Sequence, residues 1–196
     1  MIIIYLHGFR STGNSGKTQT LRTMFPNHKV IGCDYAPHSP LVAEQQLREL
    51  IAKEIESESK SREGHESVIV IGTSLGGFWA RWMAKEFGVK ALIINPSLHP
   101  DSTLPTGEFE IYDESHSLIK VTSDDLESFK QYKVASGDAR ALKCEVWVAI
   151  NDELLDADAI VEELEDIHNL KTFESGGHRF SQFGEMKPQI GRFIIS

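Results

Sequence analysis

Val68-Ile69-Val70-Ile71-Gly72-Thr73-Ser74-Leu75-Gly76-Gly77-Phe78-Trp79-Ala80-Arg81-Trp82-Met83 is the stretch on which the fold turns. Its first four residues form an unbroken β-branched run, as expected of a strand buried on both faces. Gly72-x-Ser74-x-Gly76 follows at once, and an apolar helical pattern begins directly after it. A G-x-S-x-G set between a strand and a helix is the sequence context of a nucleophile elbow. Glycines flank the serine where strand and helix come too close for side chains. The following helix would aim its N-terminal dipole and free N–H groups at negative charge developing beside Ser74. The competing reading is a Gly-rich turn with Ser74 as a helix N-cap.

Outward from this stretch, short apolar β-rich runs alternate with longer amphipathic ones. Strands are expected at 2–6, 29–33, 67–72, 90–94, 145–150 and 169–174, and helices at about 17–25, 40–58, 75–87, 157–168 and 182–195. In the second helix Leu41, Val42, Gln45, Leu47, Leu50, Ile51 and Ile55 approximate a helical stripe. Such alternation predicts a parallel sheet covered by helices on both faces. The segment 95–143, with Pro96, Pro100 and Pro105 and a weaker helical pattern near 123–132, breaks the rhythm. It is expected to form a small cap over the sheet's C-terminal edge within one domain spanning 1–196. The polar stretch 56–66 reads as a solvated loop.

An elbow serine needs an acid and a histidine later in the chain, in that order. The expected fifth strand ends in Asn151-Asp152-Glu153, and the sixth leads into Gly176-Gly177-His178-Arg179-Phe180. Both ends fall on the sheet edge that carries Ser74. His178 is therefore the candidate base among the chain's eight histidines, whereas His168, at a helix end, suits compensation of the helix dipole. Asp152 is favoured as the orienting acid because it comes first after the strand. Glu153 and Asp156 are rivals, and Asp156 also fits an N-cap for the helix beginning at Ala157. The oxyanion hole is expected from the backbone N–H of Leu75 and, after the first strand in Leu6-His7-Gly8-Phe9-Arg10, that of Phe9. His7 is given no proton-transfer role.

Together, Leu6-His7-Gly8-Phe9, Gly72-Thr73-Ser74-Leu75-Gly76-Gly77, Asn151-Asp152-Glu153-Leu154-Leu155-Asp156 and Gly176-Gly177-His178-Arg179-Phe180 resemble the YqiA/YcfP-like family of small bacterial α/β-hydrolase esterases. The likeness runs nearly end to end, with the motifs in the family's order. It implies a short α/β-hydrolase fold, with six mainly parallel strands expected in the order 2-1-3-4-5-6. It also implies hydrolysis of carboxylic esters or thioesters of small molecules with no metal or other cofactor, and it favours Asp152 as the acid. At Asn151 this chain departs from relatives that carry Gly.

Composition narrows the remaining choices. A net charge of −9 disfavours a nucleic-acid partner. The opening run Ile2-Ile3-Ile4-Tyr5-Leu6 is too short for a signal peptide or membrane span, so a cytoplasmic protein is expected. Cys33 and Cys144 fall at opposite strand ends and are read as reduced. Gly16-Lys17-Thr18 imitates the tail of a phosphate-binding loop, with Asp34 as a mock Walker-B acid, but Ser11 stands where its first glycine belongs. A milder expectation is that Arg10 and Lys17 attract an anionic substrate group. Phe9, Trp79, Leu98 and Phe180 are candidates for an acyl pocket or for core. A non-catalytic binding protein on a hydrolase fold is the remaining alternative.

Overall fold

The computed structural model describes residues 1–59, 68–112, 116–135, 138, 141–164 and 169–196. Its strands are β1 (Ile2–Leu6), β2 (Lys29–Cys33), β3 (Val68–Thr73), β4 (Lys90–Ile94), β5 (Gly107–Glu110), β6 (Leu118–Val121), β7 (Cys144–Ala149) and β8 (Asn169–Phe173). Six of them form one sheet in the order β2-β1-β3-β4-β7-β8, with every neighbouring pair parallel. Numbered among themselves, these strands follow the expected order 2-1-3-4-5-6. β1, β3 and β7 are buried throughout, whereas the edge strands β2 and β8 are partly exposed. That contrast is why the central strands read as continuous apolar runs and the edge ones do not.

The helices are α1 (Gly16–Met24), α2 (Pro40–Ser59), α3 (Leu75–Phe87), α4 (Pro100–Thr103), α5 (Ser123–Ser128), α6 (Ala157–Leu164) and α7 (Lys187–Ile195). They bury two cores against the sheet. One gathers Leu47, Ile51, Trp79, Met83, Phe129 and Ile160 under α2, α3 and α6. The other gathers Leu21, Trp147, Phe180, Phe183, Ile190 and Phe193 under α1 and α7. Each such side chain withdrawn from water contributes about 1.5–3 kcal/mol. α3 buries every residue from Leu75 to Ala84, which makes it the central helix.

Several expectations need correction. Leu41 and Val42 are exposed, and the buried stripe of α2 is Ala43, Leu47 and Ile51, spaced four apart on one face. Residues 56–59 continue α2 rather than starting a loop, and 60–66 lie outside the described residues, as does His168. The expected helix at 182–195 splits into a 3₁₀ turn (Ser181–Glu185) and α7, because Pro188 suits only a helix's first turn. Within 95–143 the antiparallel hairpin β5-β6 has no counterpart in the sequence reading. Near 123–132 the weak helical pattern resolves into α5, closed by a Thr122–Asp125 capping box, and a 3₁₀ turn at Phe129–Tyr132.

Cys33 and Cys144 are buried free thiols on strands separated by three others. Burial pushes both up to about 12, aided at Cys33 by the charge of Asp34. Among the described residues, no helix is long and apolar enough to cross a membrane, and no group of three or more His, Cys, Asp or Glu could hold a metal ion.

Candidate active site

β1, β3, β4, β7 and β8 all end on the same edge, and each hands one element to a single cleft. The turn from β3 to α3 is the tightest. Ser74 sits there at φ 57°, ψ −121°, in a region that non-glycine residues rarely enter. Such a backbone stores about 1–3 kcal/mol and persists only when its surroundings hold it. They do so by close approach. A Cβ on Gly72 would lie 2.0 Å from the Gly76 carbonyl oxygen, and one on Gly76 would lie 2.0 Å from that of Leu6. The Ser74 carbonyl accepts from the N–H groups of Gly77 (2.8 Å) and Ser97 (3.1 Å), which ties the turn to α3 and to the chain beyond β4. The Ser74 side chain makes no capping hydrogen bond to α3, so the N-cap reading of this serine is not what the structure holds.

Since the backbone of α3 rests on the end of β1 through Gly76, Gly76→Ala is expected to displace the Leu6–Phe9 chain. Overpacking of this kind costs about 1–3 kcal/mol. A lowered Tm would bear this out; a wild-type Tm would exclude it.

Ser74, Asp152 and His178 are brought together. The His178 Nε2 atom is 3.0 Å from Ser74 Oγ, and its Nδ1 lies 2.9 Å from Asp152 Oδ2 and 3.1 Å from Oδ1. The Asp152 side chain is 1% exposed and that of His178 14%. Asp152 Oδ1 also accepts from the backbone N–H groups of Leu154 and Leu155, each at 2.9 Å. Burial alone would push this carboxyl up. The hydrogen bond from His178 and the Leu155 and Leu154 N–H groups outweigh it and hold the group below its usual range.

The rival acids do other work. Asp156 Oδ1 accepts from Ala159 N–H at 3.0 Å, the bond of an N-cap to the helix α6. Glu153 Oε2 accepts from the His178 backbone N–H at 2.9 Å, which lowers its own pKa. Asn151 Oδ1 accepts from Gly177 N–H, also at 2.9 Å. Three consecutive side chains after β7 thus grip Gly177-His178, two by its backbone and one by its ring. A glycine at 151 could not supply the first of these grips.

Asn95 was missed by sequence reasoning. Fully buried at φ 42°, it donates through Nδ2 to the carbonyls of Gly177 (2.9 Å) and His178 (3.1 Å) and accepts from Ala149 N–H at 2.8 Å. It therefore locks the histidine loop to β7 from beneath. The available signal was a lone amide ending the apolar strand Ala91-Leu92-Ile93-Ile94, directly before Pro96. Asn95→Asp places a carboxylate against two carbonyl oxygens and is expected to destabilise the fold by about 2–4 kcal/mol. Chemical denaturation would measure this, and a midpoint within error of wild type would exclude the role.

On the β1 side, Gly8 packs against the serine, so that a Cβ there would be 3.3 Å from Ser74 Cβ. This brings Phe9 into the cleft wall, its ring edge-on to Phe109 of β5 at 5.4 Å. Leu75 opens α3, where its N–H has no acceptor within the helix. His7 is buried and stacked on Tyr35, and burial pushes its pKa down. It lies in the wall behind the cleft and not among the cleft-lining residues. Of the other aromatic and aliphatic candidates, Phe9 and Phe180 line the cleft, while Trp79 is core and Leu98 lines a smaller pocket against α6. The mock phosphate loop is a capped helix start. Ser15 caps α1, and Asp34 accepts from Gly13 N–H at 2.6 Å.

The cleft has a volume of about 1170 Å³ and is closed on one side by Leu104, Pro105, Phe109 and Tyr112 from the segment 95–143. The β5-β6 hairpin is fastened by Arg10, whose Nε donates to Glu110 O at 2.8 Å and whose guanidinium lies 4.4 Å from the Tyr112 ring centroid.

Comparison with known proteins agrees with this architecture. The esterase Est1E from Butyrivibrio proteoclasticus superposes with a TM-score of 0.73 at 12% identity, over 99% of this chain and 86% of the other. The Pyrococcus furiosus esterase Pf2001 gives 0.66 at 16%, over 99% and 80%. These likenesses show an α/β-hydrolase fold. In sequence, a UPF0227 protein of Shewanella sp. (strain ANA-3) is 26% identical over 197 residues, covering 100% of both chains. Residues 2–195 match the uncharacterised protein family UPF0227, and the chain belongs to that family, the one its YqiA/YcfP-like motifs indicated.

Proposed function

We propose that this protein is a serine hydrolase of small-molecule carboxylic esters, thioesters included, acting through an acyl-enzyme on Ser74. The observation that carries the reading is the unbroken relay Ser74 Oγ–His178 Nε2–Asp152 Oδ2, with steps of 3.0 and 2.9 Å at the floor of a cleft. Both steps are within reach for proton transfer.

In the first half-reaction Ser74 Oγ attacks the ester carbonyl carbon while His178 Nε2 takes the hydroxyl proton. Asp152 holds the Nδ1–H and stabilises the imidazolium. The carbonyl electron pair moves onto oxygen, where the N–H groups of Phe9 and Leu75 receive it, reinforced by the α3 dipole. Collapse of the adduct breaks the bond to the leaving alcohol or thiol, which takes its proton from His178. Water then repeats the sequence on the acyl-enzyme and releases the acid. Every group involved follows a strand of the same sheet edge, so the constellation is held by rigid elements. A fold-only binding protein would have no need of the strained φ at Ser74 or the grip on His178.

A fluorophosphonate probe tests the reading. A mass increase of one probe equivalent, mapped to the peptide containing Ser74, is the expected result. An unlabelled protein that remains folded would point to the non-catalytic alternative.

A further inference from the structure

The cleft wall has two chemically distinct parts, contributed by opposite faces of the sheet. Leu104 and Leu155, with Phe9, pack on the core under α2 and α3. Phe180 and Phe183 pack on the core under α1 and α7, and beside them the wall is lined by Gly16, Lys17 and Arg179. The Lys17 Nζ lies 5.8 Å from the Phe183 ring centroid. Among the described residues, the lining includes no aspartate or glutamate, although the chain carries a net charge of −9. Neither Lys17 nor Arg179 forms an ion pair with a described carboxylate, whereas Arg10, the third cation of the wall, is engaged by the β5-β6 hairpin.

Lys17 is half-buried and Arg179 exposed, so their like charges repel through solvent while no acidic side chain of the lining offsets them. Burial first, and the Arg179 charge second, push the Lys17 ammonium down to about 8. The first-turn N–H groups of α1 add positive potential at the same place. This place lines the same cleft as the serine. The Tyr5 hydroxyl donates to Thr73 Oγ1 at 3.1 Å, and Tyr5 lines the cleft together with Ser15, the N-cap of α1.

We propose that Lys17, Arg179 and the start of α1 form a subsite for an anionic group, a carboxylate or a phosphate, carried by the ester. The substrate is then amphiphilic, with an apolar part against Leu104, Phe109 and Leu155 and a negative charge on the opposite wall. This rests on the hydrolase reading above for the reaction, though not for the binding.

Three p-nitrophenyl esters test it: the neutral butyrate, the hemiglutarate and the 4-phosphonobutyrate. Wild-type protein is expected to favour one or both anionic esters in kcat/KM. Lys17→Met and Arg179→Gln should each lower that preference by about tenfold, with Lys17→Arg retaining it. Added salt should weaken it. The favoured anion identifies the source of the charge. Equal kcat/KM for all three esters, or a preference untouched by both charge-removing variants, overturns the subsite. Calorimetric titration of free glutarate and 4-phosphonobutyrate into Ser74→Ala protein separates this idea from the reaction itself. Lys17-dependent binding without hydrolysis of any ester by wild type keeps the subsite and removes the hydrolase reading. Absence of binding of both anions overturns the subsite whatever the esterase result.

Discussion

Ser74→Ala is expected to lower kcat by about six orders of magnitude, the usual consequence of deleting the nucleophile of an acyl-transfer triad. The residual rate, roughly 10³–10⁴ over water, would come from binding and the N–H groups of Phe9 and Leu75, which the substitution leaves in place. Stability supplies an independent check. Ser74 stands at φ 57°, which costs any residue with a Cβ. Ser74→Gly should therefore be more stable than Ser74→Ala by more than about 1 kcal/mol and unfold at a higher temperature, while being equally inactive. The pair separates the two effects of the position, since the hydroxyl governs rate and the Cβ governs strain. A Ser74→Ala protein with kcat within tenfold of wild type would remove Ser74 from the chemistry altogether.

The reason the turn at this serine could be read from sequence is local. Gly72 and Gly76 are dictated by backbone atoms that would stand 2.0 Å from any added Cβ, and both lie within two residues of Ser74. The strand order was legible for a related reason, because strands buried on both faces are written as apolar runs and parallel crossovers leave few topologies. The β5-β6 hairpin left no comparable mark. Its strands are four residues each; Gly107-Glu108-Phe109-Glu110 is exposed or half-buried, and the alternation in Leu118-Ile119-Lys120-Val121 is too short to announce a strand by itself. Its position depends instead on Arg10, about 100 residues away, through a hydrogen bond and a ring contact that no local pattern encodes. Asn95 was illegible in the same way. Its partners Gly177 and His178 are more than 80 residues distant, and a single amide before a proline looks like any turn.

The acid was the least determined member of the site in sequence, since Asp152, Glu153 and Asp156 fall within five residues. Their side-chain partners differ sharply, and the difference predicts the second large effect. Asp152→Asn should cut kcat by about 10⁴ with little change in KM, because an amide at that place favours the wrong tautomer of His178 and cannot stabilise the imidazolium. Asp156→Asn should leave kcat within a few-fold, since asparagine caps a helix as well as aspartate does and the Ala159 N–H keeps its acceptor. Glu153→Gln also retains an acceptor for the His178 N–H, so its effect should stay small beside that at 152. Acid unfolding gives a second readout with a fixed sign. The Asp152 carboxyl is held below its unfolded value, so its contribution to stability is complete above a pH of about 4 and is lost as pH falls through the depressed folded value. Asn at 152 has no such proton to take up, and the stability of the two proteins should converge as the solution is acidified. A large kinetic loss at Asp156 with none at Asp152 would transfer the role to α6 and require the histidine loop to move, against the grip of Asn151, Glu153 and Asn95 on Gly177-His178.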